Sequence, residues 1–249
     1  MNEAASIGII GGADGPTAIF VTGSLGLEAL AVPAAVLIGY LLGSLMFGII
    51  VSKGLYHDDV RNHGSGNAGT TNVLRTFGKK AALLALAGDM GKGVLAVFLA
   101  RGAACLIYGL PLEMANTVFG PDGLNVGVAA AFAAMVGHMK PCFFGFKGGK
   151  AVAVGAGTIL AANPPVFLAL LAVFVVVVAI TRIVSLTSIT CAALYPVFTL
   201  VYGLMRGTGS LGFNTLCALL QGALVIWLHR ENIRRLRNGT EYKFGEKKK

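Results

Sequence analysis

The chain has 249 residues, 55% of them hydrophobic and only 12% charged, with a mean hydropathy of +0.76. A water-soluble domain carries about 25% charged residues, so this composition excludes a soluble globule and reads as an integral membrane protein. About half of the basic residues behind the net charge of +9 lie in the loop around residues 52–78 and in the tail after Trp227. Basic clusters beside apolar segments face the cytoplasm and its anionic lipids, and nothing else in the chain supports nucleic acid as their partner.

Residues 1–27 come first and stand apart. Ser6 to Phe20 is apolar but interrupted by Gly11-Gly12, Asp14 and Pro16. It lacks the basic start of a signal peptide and is too broken for a span of about 20 residues. This short stretch resembles a motif of the membrane β-subunit of sodium-translocating decarboxylases, where such an aspartate contributes to ion handling. One motif cannot make a pump, so residues 1–27 are expected to form an N-terminal extension to a domain at 28–249.

Regular apolar segments follow at about 28–51, 79–109, 124–144, 150–162, 164–180, 183–205 and 211–229. They predict an all-α, polytopic membrane bundle of seven spans, with the N-terminus outside and the C-terminus cytoplasmic. In the first, Gly39, Gly43 and Ser44 are small enough for close helix packing. The second is longer than one crossing and carries Asp89 and Lys92, so its first part is expected to lie near the surface or to break there. The alternation puts the loops at 52–78, 140–150 and 181–183, with the tail, on one side. That side holds nearly all the lysine and arginine and is therefore the cytoplasmic one. The loops at 110–123, 163–165 and 206–210 fall on the other side, with Arg206 their only basic residue. The four cysteines, Cys105, Cys142, Cys191 and Cys217, are too scattered for a zinc site or a disulfide framework and read as free thiols.

Three polar stretches share the cytoplasmic side. Gly64 to Arg75 reads Gly-Ser-Gly-Asn-Ala-Gly-Thr-Thr-Asn-Val-Leu-Arg. Its glycines let successive N–H groups converge on an anion, its Ser65, Thr70 and Thr71 hydroxyls add donors, and Arg75 supplies a planar fork for phosphate oxygens. A plain connecting loop has much the same composition. The G-x-G-x-x-G at Gly64–Gly69 lacks the βαβ surroundings of a dinucleotide site. Lys147-Gly148-Gly149-Lys150 offers close backbone approach and positive charge, or is simply a positive-inside loop. It is not a P-loop, because the spacing and the following Ser/Thr are missing. His229-Arg230-Glu231-Asn232 closes the last segment, either with His229 and Asn232 on one helix face or as a snorkelling helix end. Asp89 and Lys92 neutralise each other or mark a functional intramembrane site. The chain has no His-x4-Asp dyad, no G-x-S-x-G elbow and no His-Glu-x-x-His. An enzyme built this way would need an already activated donor, held by positioning and charge neutralisation.

As an ordered set these stretches resemble the bacterial acyl-phosphate:glycerol-3-phosphate acyltransferases. Gly64–Arg75 matches the first motif, with Thr70 where alanine is usual and Ala68 where proline is common. Gly137-His138, Pro141 and Phe146–Lys150 match the second, with Ala151 in place of glycine and Val154 in place of threonine. His229, Asn232, Arg235-Leu236, Gly239 and Glu241 match the third, and Tyr40–Ser44, Asp89, Lys92-Gly93 and Ser185-Leu186 agree as well. The resemblance implies acyl transfer from acyl phosphate to the 1-hydroxyl of glycerol 3-phosphate in phospholipid synthesis, at the bacterial inner membrane with the site facing the cytoplasm. Its partners would be these two substrates and membrane lipid, and it would use neither cofactor nor metal.

On this reading Ser65, Asn72 and Arg75 anchor one phosphate within the backbone nest of Gly64, Gly66, Asn67, Gly69 and Thr71. Lys147, Gly148, Gly149 and Lys150 hold the second and offset the charge of the leaving group, with Lys92 and His138 also binding substrate. His229 and Asn232 orient glycerol 3-phosphate, and Glu241 orders the tail. Three bases stay open: His138, His229 or a substrate phosphate. Two rival readings make different demands. A secondary transporter would show inverted repeats and midplane polar groups, and a non-catalytic lipid-binding protein would need only the basic ends.

Overall fold

The computed structural model describes residues 6–10, 18–22, 27–114, 125–207 and 211–244. Asp14, Pro16, Asp122 and most of the two loops expected at 110–123 and 206–210 lie outside those residues. From Leu27 onward the regular elements among the described residues are helices, and before it Ser6–Ile10 (β1) pairs antiparallel with Ala18–Thr22 (β2), Ser6 opposite Thr22. The all-α expectation did not include this ribbon. Its isoleucines and Val21 suit strands.

The helices are α1 (Ala31–Gly43), α2 (Phe47–Tyr56), α3 (Thr70–Phe77), α4 (Lys79–Tyr108) and α5 (Val126–Met139). They continue with α6 (Val152–Ala162), α7 (Pro164–Thr181), α8 (Val184–Arg206), α9 (Leu211–Leu228) and α10 (Arg230–Arg237). Six segments among the described residues are long and apolar enough to cross a membrane, taking α1 and α2 together as one. The expected span at 150–162 is α6, whose 11 residues fall short of that length. At about 1.5 Å per residue such a helix reaches only half of a hydrocarbon core of about 30 Å.

Helix α4 is the hub, packed against α1, α2, α3, α5 and α6, while α7, α8 and α9 form a flanking row. Between α1 and α5 the backbones touch: a Cβ at Gly43 would stand 2.1 Å from the Ala134 carbonyl oxygen, and one at Gly137 would stand 2.2 Å from that of Tyr40. In a solvent as apolar as the side chains, such close packing holds helices together.

The break expected in the second segment lies in the first. α4 runs unbroken, whereas the expected 28–51 span is interrupted at Ser44–Met46. Asp89 and Lys92 are one turn apart and pair at 2.7 Å with both side chains buried, so α4 has no need to bring them to water. They also satisfy the groups that the interruption frees: Lys92 Nζ donates to the Leu45 carbonyl, and Asp89 Oδ1 accepts the Phe47 N–H. A backbone break at membrane depth persists only where protein supplies such partners.

Candidate active site

The first polar stretch forms a loop wound around one buried amide. Asn72, 2% exposed on α3, accepts the Ser65 N–H at 3.0 Å through Oδ1. Its Nδ2 donates to the carbonyls of Val60, His63 and Asn67. Its hydrogen-bonding capacity is spent inside the loop, so Asn72 shapes the nest and leaves the Ser65 side exposed. Gly64 and Gly66 take φ of +59° and +68°, and a Cβ at Gly64 would stand 2.2 Å from Asn72 Oδ1. Asn67 Oδ1 accepts the Gly69 N–H at 2.9 Å where α3 begins, and Thr71 lies half-buried in its first turn.

The second stretch is bolted to the first by Arg61. Asp59 grips the Arg61 guanidinium through Nε at 3.0 Å and Nη2 at 2.8 Å. Arg61 Nη1 donates to the carbonyls of Phe144 at 3.0 Å and Lys147 at 3.3 Å. The Arg61 pairing outweighs burial and holds the Asp59 carboxyl well below the usual carboxylate range. A cleft of about 690 Å³ opens between the two stretches, lined by Lys53, Arg61, Gly66, Phe143, Lys147 and Gly148 among others. Gly148 and Gly149 lie flat on His138, where a Cβ would stand 2.0 Å from its carbonyl oxygen and 2.2 Å from its Nε2 respectively. Ala151 has a φ of +60° and is buried. Glycine there would relieve about 1–2 kcal/mol of left-handed strain but would forfeit a buried methyl worth about 0.8 kcal/mol, so alanine costs little.

The third stretch closes over Lys150. Lys150 Nζ donates to Asn232 Oδ1, and Asn232 Nδ2 donates to Glu241 Oε1 at 2.8 Å. Glu241 also accepts from Ser185 Oγ at 2.9 Å and Arg235 Nε at 2.7 Å. Burial pushes the Glu241 carboxyl up, but the donors Asn232, Arg235 and Ser185 outweigh it and leave it below its ordinary value. The Phe244 N–H donates to the Arg182 carbonyl at 2.6 Å, so the tail folds back over the α7–α8 turn. Arg75 lies over the Tyr242 ring, 4.5 Å from its centroid, and within the field of Glu241 and Arg235.

Replacing Glu241 by glutamine is expected to remove the charge-assisted part of these bonds, lowering stability by about 1–3 kcal/mol at pH 7. Because the folded-state pKa is depressed, that stabilisation is present above the ordinary carboxylate pKa and is lost as pH falls through the lowered value. Melting curves of the two proteins in one detergent should therefore converge in acid; a constant gap would contradict the linkage.

Burial pulls the Lys150 ammonium down to about 8, with Arg235 and Arg75 adding to the effect against Glu241. Burial likewise pulls His229 down to about 4, so its ring is neutral near pH 7. Its Nδ1 lies 2.7 Å from the Val225 carbonyl. A carbonyl only accepts, so Nδ1 carries the proton and Nε2 keeps a free lone pair. The cluster thus sets three cations, Arg75, Lys150 and Arg235, against the carboxylate of Glu241, while Glu231, also within the field of Lys150, is paired with Arg234 at 3.1 Å. Two positive charges are left to meet an anion beside a neutral acceptor nitrogen.

Of the residues singled out in the sequence, Arg75, Lys150, His229, Asn232 and Glu241 come together directly, and Gly66, Lys147 and Gly148 line the adjoining cleft. Lys92 and His138 lie beneath the glycine turn, each 2% exposed and in contact with one another. Sequence reasoning passed over Arg61 and Tyr242. An arginine in a positive-inside loop and an aromatic in a tail carry no local signal of a cross-chain contact.

The family model described as "Glycerol-3-phosphate acyltransferase" matches residues 33–239, and the one described as "Na+-transporting oxaloacetate decarboxylase beta subunit" matches residues 1–62. A glycerol-3-phosphate acyltransferase of Clostridioides difficile is 43% identical over 211 residues, covering 85% of this chain and 94% of the relative. One from Rubrobacter xylanophilus is 44% identical over 210 residues, covering 84% and 94%. The crystal structure of PlsY (YgiH), an integral membrane glycerol 3-phosphate acyltransferase in its glycerol 3-phosphate form, superposes with a TM-score of 0.70 at 36% identity, covering 86% of this chain and 96% of that one. Its lysophosphatidic acid form gives 0.68 at 34% identity, covering 86% and 95%. The chain belongs to the glycerol-3-phosphate acyltransferase family.

Proposed function

We propose that this chain transfers a fatty acyl group from acyl phosphate to the 1-hydroxyl of glycerol 3-phosphate, releasing lysophosphatidic acid and inorganic phosphate. Family membership and two solved structures of PlsY, one in a glycerol 3-phosphate form and one in a lysophosphatidic acid form, support the substrate and product. The observation that carries the mechanism is the surplus of two positive charges around Lys150, next to the free Nε2 of His229.

In the reaction the 1-hydroxyl oxygen adds to the acyl carbonyl carbon, and the bond from that carbon to the phosphate oxygen breaks. The donor is a mixed anhydride, so no covalent enzyme intermediate is needed. Arg75 and the nest beside Ser65 grip one phosphate, while Lys150 and the Gly148-Gly149 turn neutralise the other as it leaves. His229 Nε2 accepts the hydrogen bond of the attacking hydroxyl. A ring pulled down to about 4 is too weak a base to keep a proton at neutral pH. The phosphate leaving a dianionic acyl phosphate takes that proton as the carbon–oxygen bond breaks and departs as hydrogen phosphate, so proton and charge balance.

This reading divides the chain into an extension at 1–27 and an acyltransferase domain at 28–249. With α6 counted as a short seventh crossing, the N-terminus lies outside and the site faces the cytoplasm of a bacterial inner membrane. The gathering of basic residues in the loops and tail around the site supports that orientation.

Replacing Arg75 by lysine keeps the charge but loses the bidentate fork. The loss of about 1.5–3 kcal/mol should lower kcat/KM by about 10- to 100-fold, measured as phosphate release from palmitoyl phosphate. Wild-type turnover in that variant would remove Arg75 from the site.

A further inference from the structure

Beneath the glycine turn is a charged cluster that the reaction does not consume. Lys92 Nζ has three acceptors: Asp89 Oδ1 at 2.7 Å, His138 Nδ1 at 2.9 Å and the Leu45 carbonyl oxygen. An ammonium has three protons and no lone pair, so each neighbour must present a lone pair. His138 Nδ1 is therefore unprotonated, and the ring carries its proton on Nε2. That edge of the ring abuts Gly149, whose N–H donates to the His138 carbonyl at 3.0 Å. On the opposite side, Lys92 holds Leu45, inside the interruption between α1 and α2, and Asp89 holds Phe47, the first residue of α2. The Ser44 hydroxyl, at the same interruption, accepts the Cys142 N–H at 3.4 Å.

Fold stability alone is a poor reason for such a cluster. A buried ion pair often stabilises no better than apolar residues of the same size, and Asp89 Oδ2 has no hydrogen-bond partner among the described residues. An orphaned buried carboxylate oxygen is a cost. What the cluster does achieve is to tie together two backbone irregularities, the helix interruption and the turn that carries Lys150.

We propose that Asp89, Lys92 and His138 are positioning residues: a buried clamp that locks the α1–α2 interruption to the Lys147–Lys150 turn and so fixes the anion cradle. The inference rests on the acyltransferase reading above. It replaces the expectation that Lys92 and His138 touch substrate, and it removes His138 from the candidate bases.

The test compares wild type with the paired apolar variant Asp89→Leu/Lys92→Met and with His138→Asn. For each, kcat and KM are measured for palmitoyl phosphate and for glycerol 3-phosphate, with melting in the same detergent. A cradle displaced by a fraction of an ångström should raise KM for at least one phosphorylated substrate about tenfold or more. kcat should fall with it as Lys150 shifts, while melting temperature should change little. Folded variants with wild-type KM would overturn the clamp, as would a fall in kcat at constant KM. Should both variants fail to fold, 15N spectra of the wild-type His138 ring decide, with the Nε2–H tautomer supporting the clamp and the Nδ1–H tautomer overturning it. An inactive wild type would instead refute the acyltransferase reading on which the clamp rests.

Discussion

Replacing His229 by glutamine is expected to cut kcat by about 10²–10⁴-fold with little change in either KM. The residue closes α9 at 3% exposure, and its Nδ1–H is tied to the Val225 carbonyl. Ring orientation and tautomer are thus set before substrate arrives, so Nε2 acts without reorganisation. Glutamine offers a carbonyl oxygen at similar reach but on a more flexible stem, without the locked plane. In the proposed mechanism the phosphate groups bind to Arg75, Lys150 and the glycine turns, which this change leaves intact, so the loss should fall on the chemical step. A variant that keeps its kcat but binds glycerol 3-phosphate poorly would move His229 from the chemistry to the binding pocket.

The second large effect is expected at Lys150, and pH reveals it. Burial, with Arg235 and Arg75 nearby, pulls this ammonium down to about 8. It is therefore charged at neutral pH and loses its charge as pH rises through about 8. kcat/KM reports the free enzyme's ionisations, so for wild type it should fall on the alkaline side of about 8. Arginine keeps its charge throughout this range, so Lys150→Arg should lose the alkaline limb even if its maximum rate is lower. Lys150→Met should be close to inactive at every pH, because it removes the ammonium that offsets the charge developing on the leaving phosphate. Identical alkaline limbs in wild type and Lys150→Arg would assign the ionisation to another group.

Much of this site was legible in the sequence, because glycine, hydroxyl, amide and basic residues stand out sharply against an apolar chain. The ordered motifs identified the family. The polarity of the loops also indicated which stretches belong on one face, and Arg75, Lys150, His229 and Glu241 do meet there. Composition does not say which side chain of a polar loop turns inward. Asn72 and Ser65 look equally available as letters, yet Asn72 is consumed by four bonds within the loop and Ser65 stays outside.

The misplaced break has the same origin. A charged pair inside an apolar run suggests a surface approach, but Asp89 and Lys92 satisfy each other and the backbone of a neighbouring helix. Only tertiary contact reveals such partners. The Arg61 bolt between the first two stretches likewise spans more than 80 residues of sequence, beyond the reach of any local pattern.

The central claim is that the donor is an acyl phosphate and the acceptor is glycerol 3-phosphate. The direct measurement is phosphate release by the purified protein supplied with palmitoyl phosphate, with and without glycerol 3-phosphate, alongside palmitoyl-CoA and palmitoyl-acyl carrier protein. The expected result is phosphate and lysophosphatidic acid formed one for one, only when both substrates are present, and no transfer from either thioester. Phosphate release that ignores glycerol 3-phosphate, or lysophosphatidic acid made only from a thioester, would contradict it.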